Sequence, residues 1–185
     1  MINPETFRPA MQAALHEAAT SDDPSTQTGA ALADLEGGII VVGANRMPGG
    51  VKSTRDRMVA PEKYLVREHA EREAIYTAAM FGHRLMHSVM VTIWAPCADC
   101  ARGTIEVGCD AVVRFPVEYG ASSWGDSQRI ADEMFHEAGV EIVDYDFPGI
   151  AQVPLRRSGK LWVPEMLKTQ DKLMVDPAEG DDYIY

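Results

Sequence analysis

Two short motifs constrain this chain more than any other feature: His69-Ala70-Glu71 and Pro96-Cys97-Ala98-Asp99-Cys100. Each opens a helical pattern. One runs over Glu68 to Phe81 and stops at Gly82; the other runs over Cys97 to Val107 and stops at Gly108. Cys97 and Cys100 are one helical turn apart, so both sulfurs can face one point. The partial positive charge of a helix N-terminus favours their thiolate forms. A fold that brings His69 to the same point must set two helix starts side by side, with the β-branched stretch Val89 to Trp94 between them. One nitrogen and two sulfurs suit zinc. Three protein ligands leave a fourth position for water, which marks a catalytic site rather than a structural one. Glu71, two residues past His69, can lean over such a metal without binding it.

The remaining cysteine, Cys109, lies beyond the same helix, roughly 13 Å from Cys100 at 1.5 Å per residue. It is expected to pack as a small core residue. His16, His83, His87 and His136 are expected to be non-ligands.

The rest of the pattern sets the fold class. Phe7, Met11, Ala14, Leu15 and Ala18 recur at helical spacing within residues 4 to 20. Gly29 to Asp34 and Ile39 to Gly43 flank Leu35-Glu36-Gly37-Gly38, a hairpin signal. Asn45 to Pro61 has no period and reads as a long loop of the kind that carries function. Ala111 to Phe115 and Val140 to Tyr145 read as strands. The helix between them reaches Ala138, with Asp126 and Ser127 as capping candidates. A helical crossover implies that these two strands are parallel. The expected architecture is α/β: a three-layer αβα sandwich around a mixed five-stranded sheet. Residues 1–146 account for it. Residues 147–185 form an extension, with a hairpin over Ser158-Gly159 and an acidic tail from Asp176.

Composition narrows the partners. The 185 residues carry 17 basic and 28 acidic side chains, a net charge of −11. Such a surface repels phosphate backbones, so a polynucleotide partner is not expected. No apolar run approaches the ~20 residues of a membrane span. The first residues lack a basic-then-apolar leader pattern. The expected location is cytoplasmic, with no membrane partner.

The paired motifs form the H-x-E…P-C-x-x-C signature of zinc deaminases. The sequence resembles the cytidine deaminase-like superfamily over most of residues 1–146, and within it the deoxycytidylate (dCMP) deaminases. Asp23-Pro24, Gln27-Thr28-Gly29-Ala30, Gly43-Ala44-Asn45-Arg46-Met47-Pro48-Gly49-Gly50, Ala74-Ile75 and Ala138-Gly139-Val140 carry the closer likeness. The resemblance implies Zn2+ held by His69, Cys97 and Cys100, and hydrolytic deamination of dCMP to dUMP and ammonia. In that reaction a zinc-bound hydroxide attacks C4 while Glu71 shuttles the proton. It further implies that Asn45 meets the nucleotide near sugar and base and that the Ala70 backbone contacts the base. Gly29 and Ala30 would form a floor for a flat ring. Relatives are usually oligomers, so a homo-oligomer, dimer or hexamer, is expected.

Two departures bear on the substrate. Where relatives often place Arg-Ser before Asp-Pro, this chain has Thr20-Ser21-Asp22, so Ser21 remains a substrate candidate without the arginine. Where they often place Asn two residues after the catalytic glutamate, it has Glu73, which is either a surface residue or a sugar contact. A 5′-phosphate would then be met by Arg46, Lys52, Arg55, Arg57 or Arg72. Tyr119 and Trp124 are each a base-stacking aromatic or a cover for the core. A nucleoside, a modified cytosine nucleotide or a free base stays open as substrate, as does a catalytically silent zinc-stabilised module.

Overall fold

The computed structural model describes residues 1–117, 119 and 123–167; the acidic tail from Asp176 lies outside them. Strands β1 (Gly29–Asp34), β2 (Ile39–Ala44), β3 (Ser88–Thr92), β4 (Cys109–Arg114) and β5 (Glu141–Asp144) form one sheet in the order β2-β1-β3-β4-β5. β1 runs antiparallel to both β2 and β3, whereas β3, β4 and β5 are mutually parallel. The mixed five-stranded sheet and its parallel crossover pair are those expected from the pattern.

Period-two alternation sorts the strand residues between two layers. Ala31, Ala33, Val89, Val91, Ala111 and Val113 face helix α1 (Arg8–Ala18). Ala30, Leu32, Met90 and Val112 face α3 (Ala70–Phe81), α4 (Ala98–Glu106) and α5 (Gly125–Ala138). The buried stripe of α1 is Ala10, Met11, Ala14, Leu15 and Ala18. Its small side chains let the helix touch β1. A Cβ on Gly29 would lie 2.0 Å from the Ala14 carbonyl oxygen. Gly29 is therefore a packing glycine on the α1 side of the sheet, not part of a floor for a bound ring.

Several boundaries differ from the sequence pattern for local reasons. Residues 4–7 form a tight 3-10 turn capped by the Asn3 side chain, and the α-helix begins only at Arg8. α3 begins at Ala70 rather than Glu68, because Glu68 is held extended by paired backbone bonds with Arg46. The long loop contains a short turn at Asp56–Met58, and α2 (Glu62–Val66) follows it. α5 starts at Gly125 after Trp124 with no side-chain cap, so neither Asp126 nor Ser127 caps it.

The expected second hairpin is β6 (Leu155–Arg157) with β7 (Lys160–Trp162). Ser158 and Gly159 between them both have positive φ, 50° and 73°, the backbone of a tight two-residue hairpin turn. Phe147, Ile150, Val153, Leu155 and Trp162 are buried in the same apolar cluster as α1. Among the described residues, no helix is long and apolar enough to cross a membrane.

Candidate active site

The carboxyl end of β3 and the N-termini of α3 and α4 converge on one buried spot. His69 and Cys97 occupy the N-cap positions of α3 and α4, both in extended backbone. Cys100 sits one turn into α4 with no exposure. Each N-cap position turns its side chain back across the first helical turn, which is why two helix starts suffice to gather three donors.

Cys97 Sγ and Cys100 Sγ lie 3.5 and 3.4 Å from His69 Nδ1 and 3.6 Å from each other. Tetrahedral zinc, with bonds of about 2.3 Å to sulfur and 2.0–2.1 Å to nitrogen, separates such donors by about 3.5–3.8 Å. The spacing fits the ion. Among the described residues, these three form the one cluster of His, Cys, Asp and Glu whose ligand atoms come that close together. Glu71 is 5% exposed, with Oε2 3.4 Å from Cys100 Sγ, beside the cluster.

The local electrostatics suit a cation. Cys100's thiol and then the His69 ring hold the Cys97 thiol down at about 4. Burial pushes the Cys100 thiol well up. Burial alone would lower the His69 pKa, but Cys97 and Glu71 outweigh it and raise it. The burial of Glu71 raises its carboxyl despite the pull of His69. Two thiols, an imidazole and a carboxyl crowded into a dry space are poorly satisfied by each other and well satisfied by a divalent ion. Cys109 stands apart, as expected. It packs against Ser88 Oγ at 3.3 Å, and burial pushes its thiol up to about 11.

α5 braces this centre in a way the sequence did not announce. Ser127 Oγ accepts a 3.0 Å hydrogen bond from Ala98 N, the first amide of α4, whose own N-cap Cys97 supplies no such bond. Gln128 Nε2 donates to Ala95 O at 3.3 Å. The Trp124 ring packs edge-on against the His69 ring, centroids 5.3 Å apart, and against Tyr64 at 5.9 Å. The candidate aromatic Trp124 thus lies on a metal-ligand ring.

The other candidate residues distribute as follows. Ala70 and Ala30 are fully buried in one cluster on the α3 side of the sheet. Asn45 Oδ1 accepts from Thr28 N at 2.9 Å, and its Nδ2 donates to Thr26 O at 2.8 Å and Asp23 Oδ2 at 3.3 Å. Ser21 Oγ donates to Asn45 O at 2.7 Å. Both polar groups are engaged in shaping the 21–28 loop. Glu73 lies about 200° around α3 from Glu71, against β2, where it meets Thr77 Oγ1 at 3.3 Å and Arg46 Nε at 3.8 Å. Burial raises its pKa against the pull of Arg46. Arg46 also pairs with Glu17. Tyr119 is 39% exposed and donates its hydroxyl to Asp132. Asp132 in turn receives a bidentate bond from the buried Arg114 at 2.7 and 2.6 Å.

Of the candidate phosphate cations, Arg72 is paired with Glu68 at 2.5 Å and Asp99 at 3.5 Å, and Arg57 with Glu62 at 3.7 Å. Lys52 and Arg55 are exposed and have no ion pair among the described residues. Two further cations escaped sequence reasoning. Lys63 and Arg67, one turn apart on and just after α2, are buried around Asp23, at 3.8 and 3.3 Å. Their partners are 40 and 44 residues away, so no local signal marks them.

Residues 4–115 match the model of the cytidine and deoxycytidylate deaminase zinc-binding region. The chain belongs to this family. The family's metal is zinc, which the His69, Cys97 and Cys100 cluster fits, and the chain is a deaminase-family hydrolase. This deaminase is 36% identical over 126 residues to an uncharacterised deaminase from the luxG 3′ region of Aliivibrio fischeri, covering 66% of this chain and 81% of that protein. It is 28% identical over 142 residues to a probable deoxycytidylate deaminase of Drosophila melanogaster, covering 71% and 68%. Its fold matches the dCMP deaminase of cyanophage S-TIM5 in complex with dCMP and dUMP, with a TM-score of 0.62 at 22% identity, over 78% of this chain and all of that one. It also matches a Thermotoga maritima diaminohydroxyphosphoribosylaminopyrimidine deaminase/reductase, with a TM-score of 0.57 at 22% identity, over 76% of this chain but 36% of that one.

Proposed function

We propose that this deaminase hydrolyses the exocyclic C–N bond of a cytosine nucleotide, converting dCMP and water to dUMP and ammonia. The observation that carries the reading is the placement of Glu71 Oε2 beside a three-donor zinc cluster without joining it. Zinc bound by His69, Cys97 and Cys100 supplies a Lewis acid that makes water a nucleophile near neutral pH. Glu71 would take one proton of that water and deliver it to ring N3, then carry the second, from the new hydroxyl on C4, to the departing amino group, leaving the C4 carbonyl and ammonia. Ala70 and Ala30 let the flat ring lie against α3 and the sheet. Asn45 and Ser21 shape the wall beside the sugar. Glu73 with Arg46 would act from the β2 side of α3, through the placing of Asn45, and Tyr119 from the segment that precedes α5. Lys52 and Arg55, lacking carboxylate partners, are the cations for a 5′-phosphate.

The choice of dCMP draws support from the Drosophila relative and the phage enzyme, whose complexes hold dCMP and dUMP. One observation favours a second reading, an unphosphorylated or modified cytosine substrate: Arg46 and Arg72 are already answered by carboxylates. An ammonia-release panel over dCMP, CMP, deoxycytidine, cytosine and guanine separates the two. The first reading predicts dCMP at the highest kcat/KM, and equal or faster turnover of deoxycytidine would replace it with the second. We further infer a homo-oligomer, on the strength of Tyr76, Met80 and Phe81 exposed together on the last turns of α3, working in the cytoplasm as the sequence leads one to expect. Sedimentation as a monomer at micromolar concentration would contradict that.

A further inference from the structure

The family match ends at residue 115, and the β6–β7 hairpin lies well beyond it. Its contacts nonetheless run straight to the 21–28 loop. Gln27 N donates to Arg156 O at 2.9 Å, and Arg156 N donates back to Gln27 Oε1 at 3.1 Å. Arg156 Nε donates to Asp23 O at 3.2 Å. At the hairpin tip, Ser158 N donates to Thr26 Oγ1 at 3.1 Å and Gly159 N to Ser25 O at 2.8 Å. The hairpin therefore grips nearly every residue from Asp23 to Gln27. A loop of this kind would otherwise be among the most mobile parts of a domain.

Gln27 is the centre of the arrangement. It is 6% exposed. Its amide accepts from the hairpin and donates to Ser21 O at 2.8 Å, while its carbonyl accepts from Trp94 Nε1 at 3.4 Å. Trp94 leads directly into Pro96-Cys97. Its ring packs on Trp162 of β7 at 4.5 Å, and the Arg157 guanidinium sits over it at 4.4 Å. One residue thus joins the extension and Ser21 through its side chain, and the strand end before the metal-binding helix through its backbone carbonyl.

We infer that the β6–β7 hairpin is a working part of the substrate pocket: through Gln27 and Arg156 it fixes the 21–28 loop and so sets affinity for the nucleotide. The inference rests on the reading that Ser21 and Asn45 line the substrate. Gln27 and Arg156 are positioning residues. Neither touches the metal donors, so their loss acts on binding rather than on the proton transfers.

The test uses the full-length zinc-loaded protein with Gln27→Met, Arg156→Ala and Arg156→Lys. Arg156 is on the exposed side of β6, so its replacement leaves the fold intact even if Gln27→Met does not. Two quantities are measured: KM and kcat for dCMP, and amide hydrogen exchange across residues 21–28. The expected result for Gln27→Met and Arg156→Ala is about a tenfold rise in KM, as loss of one or two ordering hydrogen bonds gives. kcat stays within about twofold, zinc remains at one per chain, and the Ser25–Thr28 amides exchange about tenfold faster. Arg156→Lys restores most of the affinity. Unchanged exchange overturns the brace. Faster exchange with unchanged KM overturns its role in binding. Because exchange needs no substrate, absence of dCMP turnover in the parent protein defeats the substrate reading without touching the brace.

Discussion

Replacing Arg114 with methionine removes the most deeply buried cation of the fold and isolates what it holds. Arg114 ends β4 at 1% exposure. It makes a bidentate bond to Asp132 of α5 and a 2.7 Å bond to Asp144 of β5. Those two carboxylates raise its already high pKa against the effect of burial. Methionine leaves both carboxylates without their cation, and Asp132 with only the Tyr119 hydroxyl. Breaking a buried pair by removing one partner costs about 3–5 kcal/mol. The two partners are not equally stranded: Asp144 is 44% exposed and can turn to water, while Asp132 at 16% cannot. The cost therefore falls near the low end, about 3 kcal/mol. For a chain of this size that is about 6–12 °C in Tm. Urea denaturation of parent and variant gives the difference directly, with unchanged m confirming a two-state comparison. A loss below about 1 kcal/mol would place Arg114 with ordinary surface pairs and show that its burial does not anchor β4 to α5 and β5. The same variant loosens Asp132, which receives the Tyr119 hydroxyl, so a rise in KM should accompany the loss of stability.

Two further outcomes follow from the metal centre and a third from the spare cysteine. Stripping zinc with a chelator should lower Tm by about 8–16 °C, the equivalent of about 4 kcal/mol of ligand linkage at a thousandfold excess over Kd; calorimetry showing no change would mean the cluster does not hold metal. Ser127→Ala orphans the first amide of α4 and should cost about 1 kcal/mol of stability, with faster zinc transfer to a chromogenic chelator; unchanged transfer would remove Ser127 from the support of Cys97. Cys109, with its thiol pushed up to about 11, stays protonated and shielded at pH 8. A thiol reagent should find no reactive cysteine in the native zinc-loaded protein and three after denaturation with chelator; rapid modification of one thiol in the native protein would contradict the burial of Cys109.

The parts of this molecule readable from sequence are those written in short-range periodicity. The strands of the sheet, the α1 stripe and the glycine stops at Gly82 and Gly139 all follow from alternation, 3.6-residue spacing and the left-handed φ a C-cap needs. The zinc triad was readable because each donor sits at a helix start, a position that spacing alone identifies. What escaped was long-range. Gly29 looked like space for a ligand, but the chain that fills it is α1. Ser127 looked like the cap of its own helix, yet its hydroxyl serves Ala98 of another. Nothing local marks Lys63 and Arg67, whose carboxylate partners Asp22 and Asp23 come from 40 or more residues away. The hairpin turn at Ser158-Gly159 was plain, but its docking on Gln27 depends on contacts spanning about 130 residues.

The most direct test compares the zinc-loaded parent with Glu71→Gln on dCMP, measuring ammonia and dUMP together with bound zinc. The parent should give stoichiometric dUMP and ammonia. The variant should turn over at least about a hundredfold more slowly, the low end for loss of a general acid–base, with one zinc retained per chain. A variant that keeps parental turnover, or one that loses its zinc along with its activity, would contradict the assignment of Glu71 as a proton carrier that stands beside the metal without binding it.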